Sequence, residues 1–406
     1  MKKKELFLIG GLILFGLIFQ YIDSGDISLV RGCSTDDRSI VDRNHPHEFS
    51  DSFTFESPLK ELKLDNKAGN VEIIPSDSGN ILVESVLIVY HKDSSKAEKY
   101  RDMVSVTNQT DGVKGIVITS HSGEDFPYRR VRVNFKLFIP RETILDIRNR
   151  FGDIDIEGAG RMIKVDGKFG DLTVGNIPSD ISVINRFGKT EIHHIDGKIE
   201  MDLKFSEAGV TDVSSIDCRI RHSTLRLSGV KNSRSVNIEG EHTKLFLTDI
   251  LSDQIKIKNS HNLIDLKNVK TTDLLLTSRH CVIKADNLTS DSISIKNSYN
   301  KTRLNGVSGR QLNVLITHGD LDLSLQTLFD TVFITNTHSD ITMILPSDSD
   351  PTLSLNTKYG DISNRTNLEI NAVKARYLTT YSRTGTRSEI NINTSYGDIT
   401  LKEPAH

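Results

Sequence analysis

Cysteine is scarce in this chain, with three in 406 residues, too few for a disulfide framework. Cys218 and Cys281 fall three turns apart in the repeat described below, beyond bridging distance. Cys218 stands in an inward column as a small hydrophobe, and Cys281 takes a small-residue corner. A dominant charge is missing too. Lys and Arg number 51 against 54 Asp and Glu, a net charge of −3. The signs are interspersed, so no basic face with interleaved aromatics exists to grip nucleic acid. The repeats keep no 3.6-residue apolar spacing, which excludes a helical architecture for them.

Alanine is absent before Ala68, so no Ala-x-Ala cleavage site follows the N-terminal apolar run at residues 6–22. Lys2, Lys3 and Lys4 precede that run, and only Gln20 and Tyr21 interrupt it. Its length is at the short end for spanning a bilayer, and the lysines hold the N-terminus in the cytoplasm. The pattern predicts an uncleaved signal anchor: one N-terminal transmembrane helix within residues 1–22. The rest would then stand on the extracytoplasmic side of a bacterial inner membrane, in the cell envelope. Cleavage after Ser24 or Gly25 and lipidation at Cys33 are the alternatives. Arg31 fits a lipobox poorly, and Asp23 and Asp26 separate Cys33 from the apolar run. Residues 23–51 read as a polar tether.

What the chain has in abundance is repetition. A marker aromatic or imidazole followed by a small residue recurs every 17 to 21 residues at Phe151, Phe169, Phe187, Phe205, His222, His242, His261, His280, Tyr299, His318, His338 and Tyr359, and again, beyond the insertion, at Tyr396. Six and four residues before each marker stand apolar, mostly β-branched residues, as in Ile163 and Val165 or Ile181 and Val183. Three and five residues after it come Ile154 and Ile156, Leu172 and Val174, Leu245 and Leu247. These are two period-2 strands per repeat. The residue seven after the marker is usually Asn, Asp or Gly (Asn176, Asp212, Gly229, Asp249, Asn268, Asn287, Gly306), types that tolerate φ > 0 at tight corners. The prediction is an all-β chain: a parallel β-helix (β-solenoid) of about 13–14 turns, a rod of roughly 60 Å.

The expected divisions follow from breaks in the period. Residues 52–143 hold a first turn, with Ala68 in the marker slot, and an antiparallel N-terminal β cap. That cap has strands at 81–90, 115–120 and 130–139, and a short helix near 94–103. Residues 144–402 form the solenoid, with an insertion at 364–388 carrying Arg365, Lys374, Arg376, Arg383 and Arg387; a C-terminal cap hairpin is the plain reading.

The phrase aromatic-Gly-Asp-Ile at Phe151–Ile154, Tyr359–Ile362 and Tyr396–Ile399 resembles the bacterial putative-adhesin solenoid family, a domain of unknown function. The resemblance covers roughly residues 50–402 and implies an envelope protein with a surface or scaffold role. It carries over no catalytic residue. The turns from Phe187 to Tyr299 lose the Asp.

Three columns could carry chemistry. His222, His242, His261, His280, His318 and His338 share the marker slot and are candidate metal ligands, though a stacked ring ladder explains them as well. Protonating adjacent imidazoles would then loosen the middle turns below about pH 6. Arg150, Lys168, Arg186, Lys204 and Arg221 precede five successive markers. They form either an edge salt-bridged to Asp153, Asp171 and Glu207 or a stripe for an anionic glycan. Asp320, Asp340 and Asp361, with Asp398 as a fourth, could hold Ca²⁺ or cap backbone N–H groups at the corner. Asn149, Asn185, Asn259, Asn297 and Asn336 read as amide ladders. No cofactor is expected. The expected function is a non-enzymatic, membrane-anchored, adhesin-like envelope protein that presents a surface to a protein or glycan. A polysaccharide lyase or hydrolase is the runner-up, weakened by the absence of insertions between Phe151 and His338.

Overall fold

Successive repeats lie in register on one another. The computed structural model describes residues 43–404 apart from 57–59, 103–106, 112–114, 121–126, 232, 348, 376 and 386–387. Leu145 pairs with Ile163, Ile163 with Ile181, Ile181 with Ile199 and Ile199 with Ile216, all in parallel. The second strand of each repeat does the same: Ile154 pairs with Leu172, Leu172 with Thr190, Thr190 with Ala208 and Ala208 with Leu225. The fold is all-β, a β-rich solenoid, and Ser94–Asp102 is the one helix among the described residues.

The alternation read from the sequence becomes burial. Inward residues such as Ile147, Val165, Ile199 and Leu276 are fully buried, while their chain neighbours face solvent. Each such Ile or Leu contributes about 1.5–3 kcal/mol relative to exposure. Cys218 and Cys281 are buried free thiols. Burial pushes the Cys281 thiol up to about 11 and raises Cys218 further, with Asp217 and Asp202 adding to the latter. Both are therefore inert core fillers.

Corners bend the chain without breaking its pairing. The strand Lys244–Ser298 runs unbroken for 55 residues because isolated positive-φ corners turn it, at Asp249, His261–Asn262, Asn268, His280 and Asn287. The column seven after the marker is left-handed from Gly158 through Asn176, His194, Asp212, Gly229, Asp249, Asn268 and Asn287 to Gly306. Asn, Asp and Gly populate that column for this reason.

Both ends depart from simple winding. At the N-terminal end the turn of Glu61–Asn66 and Val71–Ser76 sits directly on the turn of Ile144–Phe151 and Ile154–Glu157. Gly115–Thr119 and Val131–Pro140 add parallel rows outside it. Beyond these lie antiparallel strands: Thr107–Asp111 on one face, and on the other Ile81–Tyr90 followed by Pro46–Phe55. The last of these corrects the expected tether of residues 23–51, since residues 46–51 are strand. Alternating Phe49, Phe53 and Phe55 pack on the core and pull residues 46–51 into the sheet. The expected transmembrane helix, the tether as far as residue 42 and Cys33 lie outside the described residues. Among the described residues no helix is long and apolar enough to cross a membrane.

At the C-terminal end the order of rows differs from the order in sequence. Glu389–Thr394 pairs with Thr331–Asn336 on one side and Thr352–Thr357 on the other. Ile399–Lys402 likewise lies between Ile341–Ile344 and Ile362–Arg365. The final turn of the chain is therefore the penultimate row. The stacking order expected for the carboxylates is corrected accordingly: Asp398 lies between Asp340 and Asp361. Within the insertion, Asn371–Lys374 and Thr379–Arg383 form an antiparallel hairpin that extends the outermost row. Its cations hold it to that row, Arg383 on Asp350 and the Pro351 carbonyl, Lys374 on Asp361.

Because Ile392 is fully buried inside an interior row, Ile392→Ala should cost about 2–5 kcal/mol. Val373→Ala, on the exposed hairpin, should stay within about 0.5 kcal/mol. Chemical denaturation of the two variants measures both. Equal costs would place residues 389–402 at the end of the stack instead.

Candidate functional site

The markers build a continuous ring ladder along one corner. From Tyr128 through Phe151, Phe169, Phe187 and Phe205 to His222, neighbouring centroids are 5.1 or 5.0 Å apart as far as His242. The stack continues through His261, His280, Tyr299, His318 and His338 to Tyr396 and Tyr359, at 4.4 to 5.1 Å. Tyr128 was not visible as a marker in the sequence, because its segment has no period. It stacks on Phe151 where Ala68 supplies no ring. This geometry bears on the metal reading of His222, His242, His261, His280, His318 and His338. Rings inclined by at most 17° project their in-plane lone pairs side by side, so the nitrogens do not converge on one point. No group of three or more His, Cys, Asp or Glu side chains gathers around a common point among the described residues.

Beside the ladder run Arg150, Lys168, Arg186, Lys204 and Arg221. Lys204 pairs in register with Arg186 and Arg221. Arg150, Lys168 and Lys204 lie 5.6, 5.3 and 5.2 Å from the centroids of their own markers, a cation–π contact that leaves the charge at the surface. The salt-bridged edge is not what forms. Among the described residues no carboxylate lies within ion-pair reach of any of the five. Glu207 instead pairs with Arg226 at 3.6 Å.

The carboxylates that were expected to neutralise the stripe serve the backbone. The Asp171 N–H donates to Asp153 Oδ1 at 2.9 Å, and the Lys189 N–H to Asp171 Oδ1 at 2.8 Å. At the other end the Asp398 N–H donates to Asp340 at 2.9 Å and the Asp361 N–H to Asp398 at 2.8 Å. These corner carboxylates therefore act as caps. The Asn column does not form amide ladders. Its members are separated by small or apolar residues, and each donates to corner carbonyls: Asn149 to Gly69 and Gly152, Asn259 to Thr243, Asn336 to Ser339. A side-chain ladder forms instead at the left-handed corner, where Asn287 donates to Asn268 and Asn268 to Asp249.

A second constellation, at that left-handed corner, escaped the sequence reading. The Nδ1 atoms of His193 and His194 lie 3.2 Å apart, with ring planes 85° to each other. His193 Nε2 is 3.7 Å from Glu157 Oε2, and His194 Nε2 is 3.5 Å from Asp212 Oδ2. Glu157 also accepts from Asn176. Next to it, desolvation and the charges of Glu157 and Glu72 raise the Asp155 carboxyl above its ordinary value, while His193 opposes them. The available signal was a His-His pair at a position other repeats fill with Asn, Asp or Gly.

The Toastrack DUF4097 family profile matches residues 59–402. No curated protein matches the chain. Among solved structures, a crystal structure of "a putative cell adhesion protein from Clostridium sporogenes" is 9% identical, covering 88% of this chain and 100% of its own with a TM-score of 0.22. That similarity is too slight to bear on fold or function.

The ladder carries a pH dependence. Burial first, then the charges of His242, His280 and Arg279, hold His261 below the ordinary imidazole value, against a weaker pull from Glu241. A folded value below the unfolded one means that the unfolded chain takes up the proton first. The stabilising difference is then complete above about pH 6.5 and lost as pH falls toward the lowered value. The melting temperature should therefore fall between pH 7.5 and pH 5, and His261→Tyr, which keeps a ring in the stack, should flatten that slope. An unchanged slope in the variant would remove His261 as its source.

Proposed function

The chain belongs to the Toastrack DUF4097 family, and we propose that it is a non-enzymatic, adhesin-like envelope protein. In this reading the ladders wind as a parallel β-helix and residues 1–22 anchor it in the cytoplasmic membrane. The coil then stands on the extracytoplasmic side and presents its surface to an anionic glycan. Parallel pairing at one-repeat offsets supports the coil. The lysines before an apolar run support the anchor.

The observation that carries the ligand class is the stripe. Five cations recur at ring-ladder spacing over about 20 Å, and none has a carboxylate partner among the described residues. Isolated surface cations repel one another, and a bound polyanion relieves this at low ionic strength. An extended polymer with a phosphate or carboxylate on each residue can place charges at a similar interval. The corner carboxylates are occupied as backbone caps, which weakens the alternative of a polysaccharide lyase or hydrolase. Such an enzyme needs a free carboxylate as acid or base.

Two measurements test this. Full-length protein should bind polygalacturonate or a poly(glycerol phosphate) at low salt and release it as salt rises. Combined Arg150→Glu, Lys168→Glu and Lys204→Glu should weaken binding by more than about tenfold, or about 1.4 kcal/mol. Binding unaffected by these changes would refute the stripe, and appearance of cleaved sugar would favour the lyase or hydrolase. In bacterial fractions, an intact N-terminus in the inner membrane is the expected result. A start near residue 25, or a lipidated Cys33, would overturn the anchor.

A further inference from the structure

We propose that His193 and His194 chelate a divalent transition-metal cation through their two Nδ1 atoms. This site is separate from the basic stripe and does not depend on the function proposed above. Glu157 and Asp212 lie beyond the Nε2 atoms, at 3.7 and 3.5 Å, and their negative charge favours a ring proton on the Nε2 side. With both protons so placed, two Nδ1 lone pairs face each other across 3.2 Å. A cation between them turns a repulsive contact into two bonds. At the usual metal–imidazole length of about 2.0–2.1 Å, nitrogens at this separation subtend about 100° at the metal, which suits tetrahedral or square coordination. With ring centroids 5.4 Å apart and the Nδ1 atoms 3.2 Å apart, both nitrogens sit on the facing sides of their rings, which the parallel rings of the ladder do not allow.

Three further features single out this corner. His194 has φ 53° in a column whose other left-handed members are Gly, Asn or Asp. Every other left-handed row of that column turns without a ring, so the turn itself does not call for the imidazole of His194. Gly175 lies in register between Glu157 and His193. A Cβ on it would fall 2.1 Å from His193 Cε1 and 2.5 Å from Glu157 Oε2, so the missing side chain is what lets the carboxylate meet the imidazole across two turns. The outer carboxylates are themselves positioned, Glu157 by Asn176 and Asp212 by Lys231 at 3.9 Å. His193 is half-buried and His194 exposed, leaving room for water or a donor group from elsewhere at the remaining positions.

Full-length protein, purified without a histidine tag, would be titrated calorimetrically with Cu²⁺, Ni²⁺ and Zn²⁺. One cation per chain is expected, with Cu²⁺ bound most tightly. His194→Asn places at this corner the residue that Asn176, Asn268 and Asn287 already provide, so the variant should fold, as an unchanged melting temperature would verify. It should weaken the site by more than about tenfold, and Glu157→Gln, acting through orientation alone, by about 10–100-fold. His242→Phe, in the ladder, should bind like the parent. The proposal fails if the parent binds none of the three cations or if His194→Asn binds as well as the parent. It also fails if His242→Phe abolishes binding, which would move the cation to the ladder.

Discussion

Parallel backbone pairing at an offset of one repeat is the constraint on which everything else in this molecule depends. Once Ile163 is paired with Ile181 and Ile181 with Ile199, every other position is also stacked on its own equivalent at strand spacing. Apolar columns become the core and marker rings become a ladder. Like charges become a row. The aromatic stack is thus a consequence of register, and it repays that register: a slip of one residue would turn each inward column outward and would unstack the rings. Offset stacked rings contribute beyond their buried area, about 0.5–1.5 kcal/mol for a pair, so the ladder makes the correct register distinguishable from its neighbours.

The same register forces two different corner chemistries. Where the marker is followed by Gly or Ser and then Asp, at Phe151, Phe169, His338, Tyr396 and Tyr359, the aromatic stays out of the left-handed region. The Asp of four of these corners accepts an N–H from the neighbouring row. The Gly at 170, 360 and 397 lies so close to the row beneath that a Cβ would meet a carbonyl oxygen at 2.0–2.2 Å. From Phe187 to His318 the marker itself is left-handed, and its N–H reaches the next row, as in His222 to Glu241 or His242 to Ser260. At Ser206, Ser223, Thr243 and Cys281 the small residue is buried and offers a donor. Ser223, Thr243 and Cys281 each bond the carbonyl two residues back, and Thr243 and Cys281 also bond a carbonyl of an earlier row. Either an acceptor side chain or a donor side chain settles the corner's unpaired groups. Asp320 follows a left-handed His318 and is the position where the two schemes overlap.

The columns were legible because each is a local pattern repeated many times. Ile and Val at fixed offsets, Asn or Gly before the bend and rings at the marker reported their positions through period alone. The loss of Asp from the Phe187 turn onward was also visible, but not its meaning, since the backbone flip at Phe187 leaves no trace in composition. The interleaving of Asp398 between Asp340 and Asp361 was hidden for a related reason. Period assigns a residue to a column and says nothing about the order of rows once the chain can leave the stack and return. Pairs that meet across columns were harder still. Glu157 and His193 touch only because Gly175, two residues into an unremarkable Thr-Val-Gly-Asn stretch, lacks a side chain. The Asn column misled because a shared column is a necessary condition for a ladder and not a sufficient one. With Gly167 next to Asn185 and Gly240 next to Asn259 in the stack, each amide leans over a glycine and finds a carbonyl.

The two ends show how a stack of open strands protects its edges. Each end places a full turn inside and adds rows outside it from a segment that has lost the period. At the N-terminal end the outer added rows turn antiparallel, and among the described residues the outermost strand Pro46–Phe55 pairs on one edge only. At the C-terminal end the outer row and its hairpin precede the row beneath in sequence, so the slot between Thr331–Asn336 and Thr352–Thr357 is filled by the last strands of the chain. A strand entering that slot pairs on both sides, which a foreign strand adding to a free edge cannot do. The edges left at this end among the described residues, Ile362–Arg365 and Asn371–Lys374, are four residues long each. An edge that short offers few unpaired groups to another chain, so the stack ends there without inviting a further row.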